Sequence, residues 1–230
     1  MKEKSLSISF ADSLTDNAIS CISNYAEIGL DAVMEDGILK DIPIVSTAIA
    51  IYKIGSSIKE RHNLKKLLVF LNELNNGILD EQKRKEYQQK FQDNEKFRNQ
   101  EIEYLLVLID RYISYDKPQM LAKLYLAYLD GVIIWEELTM YAEVVDRFLL
   151  LDCSTLISGE GKTTVHRNIG GESVLRLVAL GLMTETNENS IFEQTSGGFG
   201  ISAASMQRFS SNDKTYRRTE FGDKLAEILK

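Results

Sequence analysis

Two prolines in 230 residues, Pro43 and Pro118, constrain this chain more than any other feature. Proline lacks an N–H and its ring meets the preceding turn, so a chain nearly free of it can run long helices. Capping residues and apolar spacing say where. Ser13 or Thr15 can cap a first helix reaching about Gly37, and Asp41 a second, with Pro43 in its first turn. The second is expected to continue through KERHNLKKLLVFLNEL and to stop near Asn75, Asn76 and Gly77. ILDEQKRKEYQQKFQDN reads as a polar helix, and EKFRNQEIEYLLVLIDRYIS sets Phe97, Ile102, Leu105, Leu106, Ile109 and Ile113 at helical spacing. MLAKLYLAYLDG and IIWEELTMYAEVVDRFLLL follow Pro118, giving roughly six or seven helices before residue 159.

Composition then shifts. GEGKTTVHRNIGG reads as a glycine-rich turn region and ESVLRLVALGLM as a short apolar helix ended at Gly181. NSIFEQ and KTYRRT are candidate strands on either side of a Gly/Ser-rich loop, and EFGDKLAEILK closes the chain as a helix. Residues 172–230 resemble the closing half of a winged-helix domain, through Leu177-x-x-x-Gly181-Leu182-Met183 and Tyr216-x-x-Thr219-x-x-Gly222-x-x-Leu225. The expected fold class is mainly α. A multi-helix N-terminal bundle (1–158, with an apolar hairpin over about 15–75) precedes a small winged-helix-like α+β domain (159–230).

Composition also excludes several functions. A net charge of −7 opposes strong non-specific binding to a phosphate backbone, although it permits a local basic group. Cys21 and Cys153 have no CxxC spacing and read as buried thiols of a reducing compartment rather than a disulfide or metal site. GEGKTT lacks the first glycine of a phosphate loop, since position 156 is Leu156, and helical text precedes it. Only His62 and His166 could serve a Ser–His–Asp set, and neither stands in a nucleophile setting. No catalytic residue, cofactor or metal is expected. MKEKSLSISFADSLTDN has no apolar core of a secretory signal, and no stretch reaches the roughly 18 apolar residues of a spanning helix.

The most apolar stretch is DIPIVSTAIAIYKIG, residues 41–55. On a helix over 44–58, Ser46, Ala50, Lys53 and Ser57 form one narrow stripe, and Ile44, Val45, Ile49, Ile51, Tyr52, Ile54 and Ile58 cover most of the rest. A surface helix shows the reverse proportion. The helix before it carries Glu27, Asp31 and Glu35 at i, i+4 and i+8, a like-charge row that water on an exposed face, or in a pore, would offset. Lys59, Arg61, Lys65 and Lys66 follow, and a basic flank suits an anionic membrane surface. The alternative is a core helix that continues into an exposed amphipathic half.

In the C-terminal part, a DNA-reading helix before the wing should carry basic residues, whereas Arg176 is the only charge after Glu172. Arg208, Lys214, Arg217 and Arg218 form a local basic group that could hold phosphate.

The order AEIGLDAVMEDGILKDIPIVSTAIAIYKIGSSIKERHNLKKLLVFLNEL, then MLAKLYLAYLDGVIIWEEL, then LVALGLM and YRRTEFGDKLAEIL resembles a group of small bacterial and phage-associated helical proteins. These occur around anti-phage defence systems, and the resemblance extends to the channel effector of Hailong-type systems, where a nucleotidyltransferase supplies a nucleic-acid signal. It implies an effector, cytoplasmic or inner-membrane associated, that assembles as a homo-oligomer and forms or gates a membrane channel through its N-terminal apolar helices. Its partners would be copies of itself, membrane lipid, an oligonucleotide or nucleotide signal and a partner defence protein. The pore or membrane residues would be Glu27, Asp31, Glu35, Ser46, Ile49, Ala50, Lys53 and Ser57, and the anionic signal would meet Arg176, Arg208, Lys214, Arg217 and Arg218. The rival readings are a winged-helix DNA-binding regulator or protein-interaction adaptor, and a purely structural interaction protein.

Overall fold

The computed structural model of the chain describes residues 46, 57–77, 82, 95–158, 162–165, 171–186 and 214–230. These are mainly helical, with seven α-helices and one antiparallel sheet among them. The chain divides into two compact units, Met1–Asp146 and Arg147–Lys230. The sequence had suggested a division after 158.

In the first unit, α1 (Ile58–Asn76), α2 (Glu95–Arg111), α3 (Asp116–Leu129) and α4 (Trp135–Arg147) follow one another. The helix expected to run unbroken from Asp41 to Asn75 is instead interrupted at Ser57. Ser46 is helical, but Ser57 is extended (φ −122°, ψ 149°) and caps α1. Its hydroxyl accepts from the Glu60 N–H at 3.2 Å, and the Glu60 carboxylate accepts from the Ser57 N–H at 3.3 Å. This Ser-x-x-Glu capping box satisfies two N–H groups that a helix start would otherwise leave open.

α1 buries Leu64, Leu67, Leu68, Leu71 and Leu74, a stripe of three- and four-residue steps, and it packs chiefly on α3 and then on α2. In α2, the expected Ile102, Leu105 and Ile109 are buried and Leu106 is half-buried, whereas Ile113 lies beyond the helix and is 87% exposed. The cause is Lys66. Its side chain is buried, and its ammonium donates at 2.7 Å to both the Asp110 and Tyr112 carbonyls, capping α2 where the apolar pattern would have carried it on. Lys66 is thus an interior cap and no part of the exposed basic flank.

The second unit holds a short 3-10 turn (Leu150–Asp152), α5 (Cys153–Ser158), β1 (Lys162–Val165), α6 (Gly171–Ala179), β2 (Met183–Thr186), β3 (Lys214–Arg218) and α7 (Glu220–Leu229). The sheet is antiparallel in the order β1-β3-β2, with Lys162 opposite Arg217 and Thr184 opposite Arg217 on the other side. KTYRRT is a strand as expected, but KTTV, read as a turn, is another, and so is Met183–Thr186. NSIFEQ lies outside the described residues. GKT therefore leads into a strand, where a phosphate loop would place it at the start of a helix.

The two quoted motifs meet in one lock. Gly181 (φ +74°) ends α6, with the Leu182 N–H on the Leu177 carbonyl at 2.9 Å. Thr219 donates its N–H to the Leu182 carbonyl at 3.0 Å and its hydroxyl to the Gly181 carbonyl at 2.7 Å. The same hydroxyl accepts from the Gly222 N–H at 3.0 Å and so caps α7. A Cβ on Gly222 would overlap the Leu182 carbonyl oxygen, so no larger residue fits this approach.

The capping box makes a measurable claim. Ser57→Ala should lower unfolding free energy by about 1 kcal/mol and Ser57→Gly by only a few tenths, read from denaturant midpoints. An unchanged midpoint in Ser57→Ala would show that the hydroxyl does not cap.

Candidate functional site

Three places concentrate polar chemistry, two in the first unit and one in the second. In the first, Glu101 of α2 is 1% exposed and accepts from the Tyr128 hydroxyl at 2.6 Å and the Tyr125 hydroxyl at 3.2 Å. Tyr128 and Tyr104 each stand edge-on to Trp135, with ring centroids 5.6 Å apart, so α2, α3 and α4 share one aromatic cluster around a carboxylate. Burial, then the bond to Glu101, pushes the Tyr128 hydroxyl well above its ordinary value. Phenols held neutral beside a carboxylate are suited to fixing three helices in register.

The beginning of α1 meets the chain after α2 in a second polar group of that unit. His62 Nδ1 lies 2.8 Å from the Tyr115 hydroxyl, and Lys65 Nζ stands 4.8 Å from the centre of the Tyr115 ring. His62 is half-buried. Asn63 donates to the Asp110 carboxylate, and Lys117 Nζ donates to the Asp146 carbonyl at 2.6 Å. Burial lowers the Lys66 and Lys117 ammonium groups from their usual range. Lys59 and Arg61 remain exposed, beside an Ile58 that is 89% exposed.

In the second unit, the expected anion-binding residues separate into distinct positions. Arg176 makes a two-pronged contact with Asp152, at 2.8 Å from Nε and 2.7 Å from an Nη, and Asp152 is fully buried. The bond to Arg176 holds the Asp152 carboxyl below its usual range. Arg218 donates to the Leu156 carbonyl at 2.9 Å, and its Nε lies 2.6 Å from Asp223. Both guanidinium groups are committed inside the unit, which explains why the 3-10 turn and α5 belong with it. Arg217 is exposed in mid-strand, between Lys162 and Thr184 in register. Lys214 opposes Val165.

The exposed residues of α6 are Glu172, Leu175 and Ala179. That is an acidic and apolar surface, and it lacks the cations of a major-groove reader.

Of the expected membrane-segment residues, Ser46 is helical and half-buried, and Ser57 is the cap of α1. Glu27, Asp31, Glu35, Ile49, Ala50 and Lys53, together with Arg208 and His166, lie outside the described residues. Sequence reasoning missed Lys66, Glu101 and Asp152. The missed signal was a charge at an otherwise apolar helical position, as in Leu64-Lys65-Lys66-Leu67.

Among the described residues, no helix is long and apolar enough to cross a membrane, and no group of three or more side chains could hold a metal ion. Comparison of the chain with family models, curated proteins and solved structures gives no significant match in any of the three.

The tyrosine–glutamate cluster sets a pH dependence. Above about pH 10 the unfolded chain releases the Tyr128 proton while the folded chain keeps it, so stability falls as pH rises. Tyr128→Phe removes this contribution along with the bond to Glu101. Its stability deficit against the parent should therefore narrow between about pH 8 and about pH 11, followed by urea unfolding. A constant deficit would contradict the assignment.

Proposed function

We propose that this protein is a non-enzymatic effector that acts at a membrane through segment 18–58. The helical unit serves as scaffold, and the C-terminal unit as a winged-helix-like sensor of an anionic nucleic-acid or nucleotide signal. Self-assembly into a homo-oligomer belongs to the same reading. The observation that carries it is the capping box at Ser57. A bundle-core explanation of the apolar stretch needs that stretch to be the front half of one long amphipathic helix. The cap starts α1 at Ile58, so the unbroken helix that reading requires is interrupted at Ser57, and the sequence of 41–56 is one that a helix would make apolar over most of its surface. It hands over directly to exposed Ile58, Lys59 and Arg61. The resemblance to defence-associated effectors agrees with this. The strand order β1-β3-β2 and the Thr219–Gly222 lock support the winged-helix part, and exposed Arg217 is the residue best placed there for phosphate.

Purified protein should release dye from anionic liposomes, alone or with a short oligonucleotide. Ile49→Asp should cut release on the order of a hundredfold, since a charge at membrane depth costs about 2.5–3.5 kcal/mol. Absence of release in every ligand state, with no co-sedimentation, overturns the proposal.

A second reading, an adaptor that binds another protein, rests on α6. Its outward Leu175 is 57% exposed while Arg176 is turned onto Asp152. Leu175→Glu should then abolish capture of a partner protein while leaving vesicle release unchanged, and a gel shift at low salt that depends on Arg217 would favour DNA over protein.

A further inference from the structure

Glu101 is a poor choice of residue if its task is only to join helices. It is 1% exposed, and a carboxylate taken out of water loses its hydration, so well-packed apolar side chains often serve stability as well or better. What the carboxylate adds is a proton acceptor. Tyr128 donates to Glu101 Oε1 at 2.6 Å, a short bond of the kind a hydroxyl makes to a charged oxygen. Tyr125 donates to Oε2 at 3.2 Å, so the second oxygen stays held when the first takes a proton.

The aromatic rings lead outward from that bond. Tyr128 stands edge-on to Trp135 with centroids 5.6 Å apart, and Trp135, the only tryptophan of the chain, is half-buried and so reaches solvent. Tyr104 meets the same indole at 5.6 Å, but its hydroxyl donates to the Thr139 carbonyl, at 3.4 Å. A backbone carbonyl accepts a hydrogen bond without taking the proton, whereas a carboxylate can take it. The indole therefore lies between two phenols, of which one has a base on its proton. Removing an electron from a phenol makes its proton strongly acidic, so the electron leaves most easily where the proton has a destination. Burial and the bond to Glu101 keep the Tyr128 proton in place beforehand, so proton and electron must leave together.

We propose that Trp135, Tyr128 and Glu101 form an electron-donor relay that carries an oxidising equivalent from the protein surface to an ordered phenol. A one-electron oxidant of the carbonate-radical class takes an electron from the Trp135 indole and leaves as carbonate. Tyr128 refills the indole with one electron and passes its phenolic proton to Glu101 Oε1, which leaves a neutral phenoxyl radical beside a neutral carboxyl. A thiolate reductant then returns the electron and becomes a thiyl radical, and the proton goes back from Glu101 to the phenolic oxygen. The three residues lie on α2, α3 and α4, all in the helical unit, so the relay needs no membrane and no second ligand.

The test uses the full chain with a flash-generated ruthenium(III) tris-bipyridine oxidant, followed by transient absorption of the indole and phenoxyl radicals. In the parent the indole radical should decay as the phenoxyl radical rises, and more slowly in deuterated water. Tyr128→Phe should leave the indole radical long-lived, whereas Tyr104→Phe should not extend its life. Glu101→Gln keeps the shape but loses the base, and should slow the phenoxyl rise on the order of a hundredfold. Circular dichroism checks that each variant is folded. A phenoxyl rise in Tyr128→Phe equal to that of the parent, or an indole radical prolonged by Tyr104→Phe instead, overturns the assignment. So does a parent whose indole radical decays without a phenoxyl product. An equal rate in ordinary and deuterated water shows that no proton moves with the electron, and the relay then falls even where Glu101→Gln does not fold.

Discussion

A buried ammonium group organises the helical unit. Lys66 is turned inward from α1 onto the last carbonyls of α2, where the helix dipole is negative and two acceptors would otherwise be left without donors. Burying a charge is costly, and the two carbonyls offset that cost only while α1 and α2 keep this register. The contact decides that α2 stops at Arg111, that Ile113 falls outside the core, and that Tyr115 reaches His62. α3 then begins at Asp116 with Pro118 in its first turn, where the missing N–H is harmless. A short loop, a packed helix pair and an exposed tip all follow from one side chain.

The C-terminal unit is held differently. Its fixed points are backbone carbonyls: Leu182 and Gly181 accept from Thr219, and Leu156 accepts from Arg218. The Asp152–Arg176 pair ties the 3-10 turn to α6. Such a frame spends its cations internally. Arg217, alone of the described arginines of β3, projects without such a commitment among its described bonds, and its strand neighbours in register are Lys162 and Thr184. A phosphate-bearing ligand would find its charge there rather than on α6.

Much of this was legible in the residues, for reasons that differ by element. Helices α2 to α4, α6 and α7 follow from strong apolar periodicity and from punctuation by Pro118, Gly181 and Thr219. The Gly181-Leu182 and Thr219-x-x-Gly222 motifs were visible because their residues answer specific steric and hydrogen-bonding needs, such as Gly222 under the Leu182 carbonyl. β1 and β2 were hidden because four-residue strands such as KTTV and MTET carry too little alternation to outweigh neighbouring glycines. The break at Ser57 was hidden by apolar residues that keep helical spacing across it, although Ser57 and Glu60 spelled out the cap. The interior charges escaped because a lysine or glutamate in sequence shows its charge and not its partner. Lys66 and Arg176 were therefore read as surface groups, when each is an internal tie.

The capping box carries one further consequence. A helix whose first N–H groups are satisfied by its own side chains does not need the preceding residues to stay helical. Ser57 and Glu60 thus make α1 indifferent to the conformation upstream of it. The first turn of α1 therefore carries its own anchor, and its stability does not borrow from whatever the chain does before Ser57.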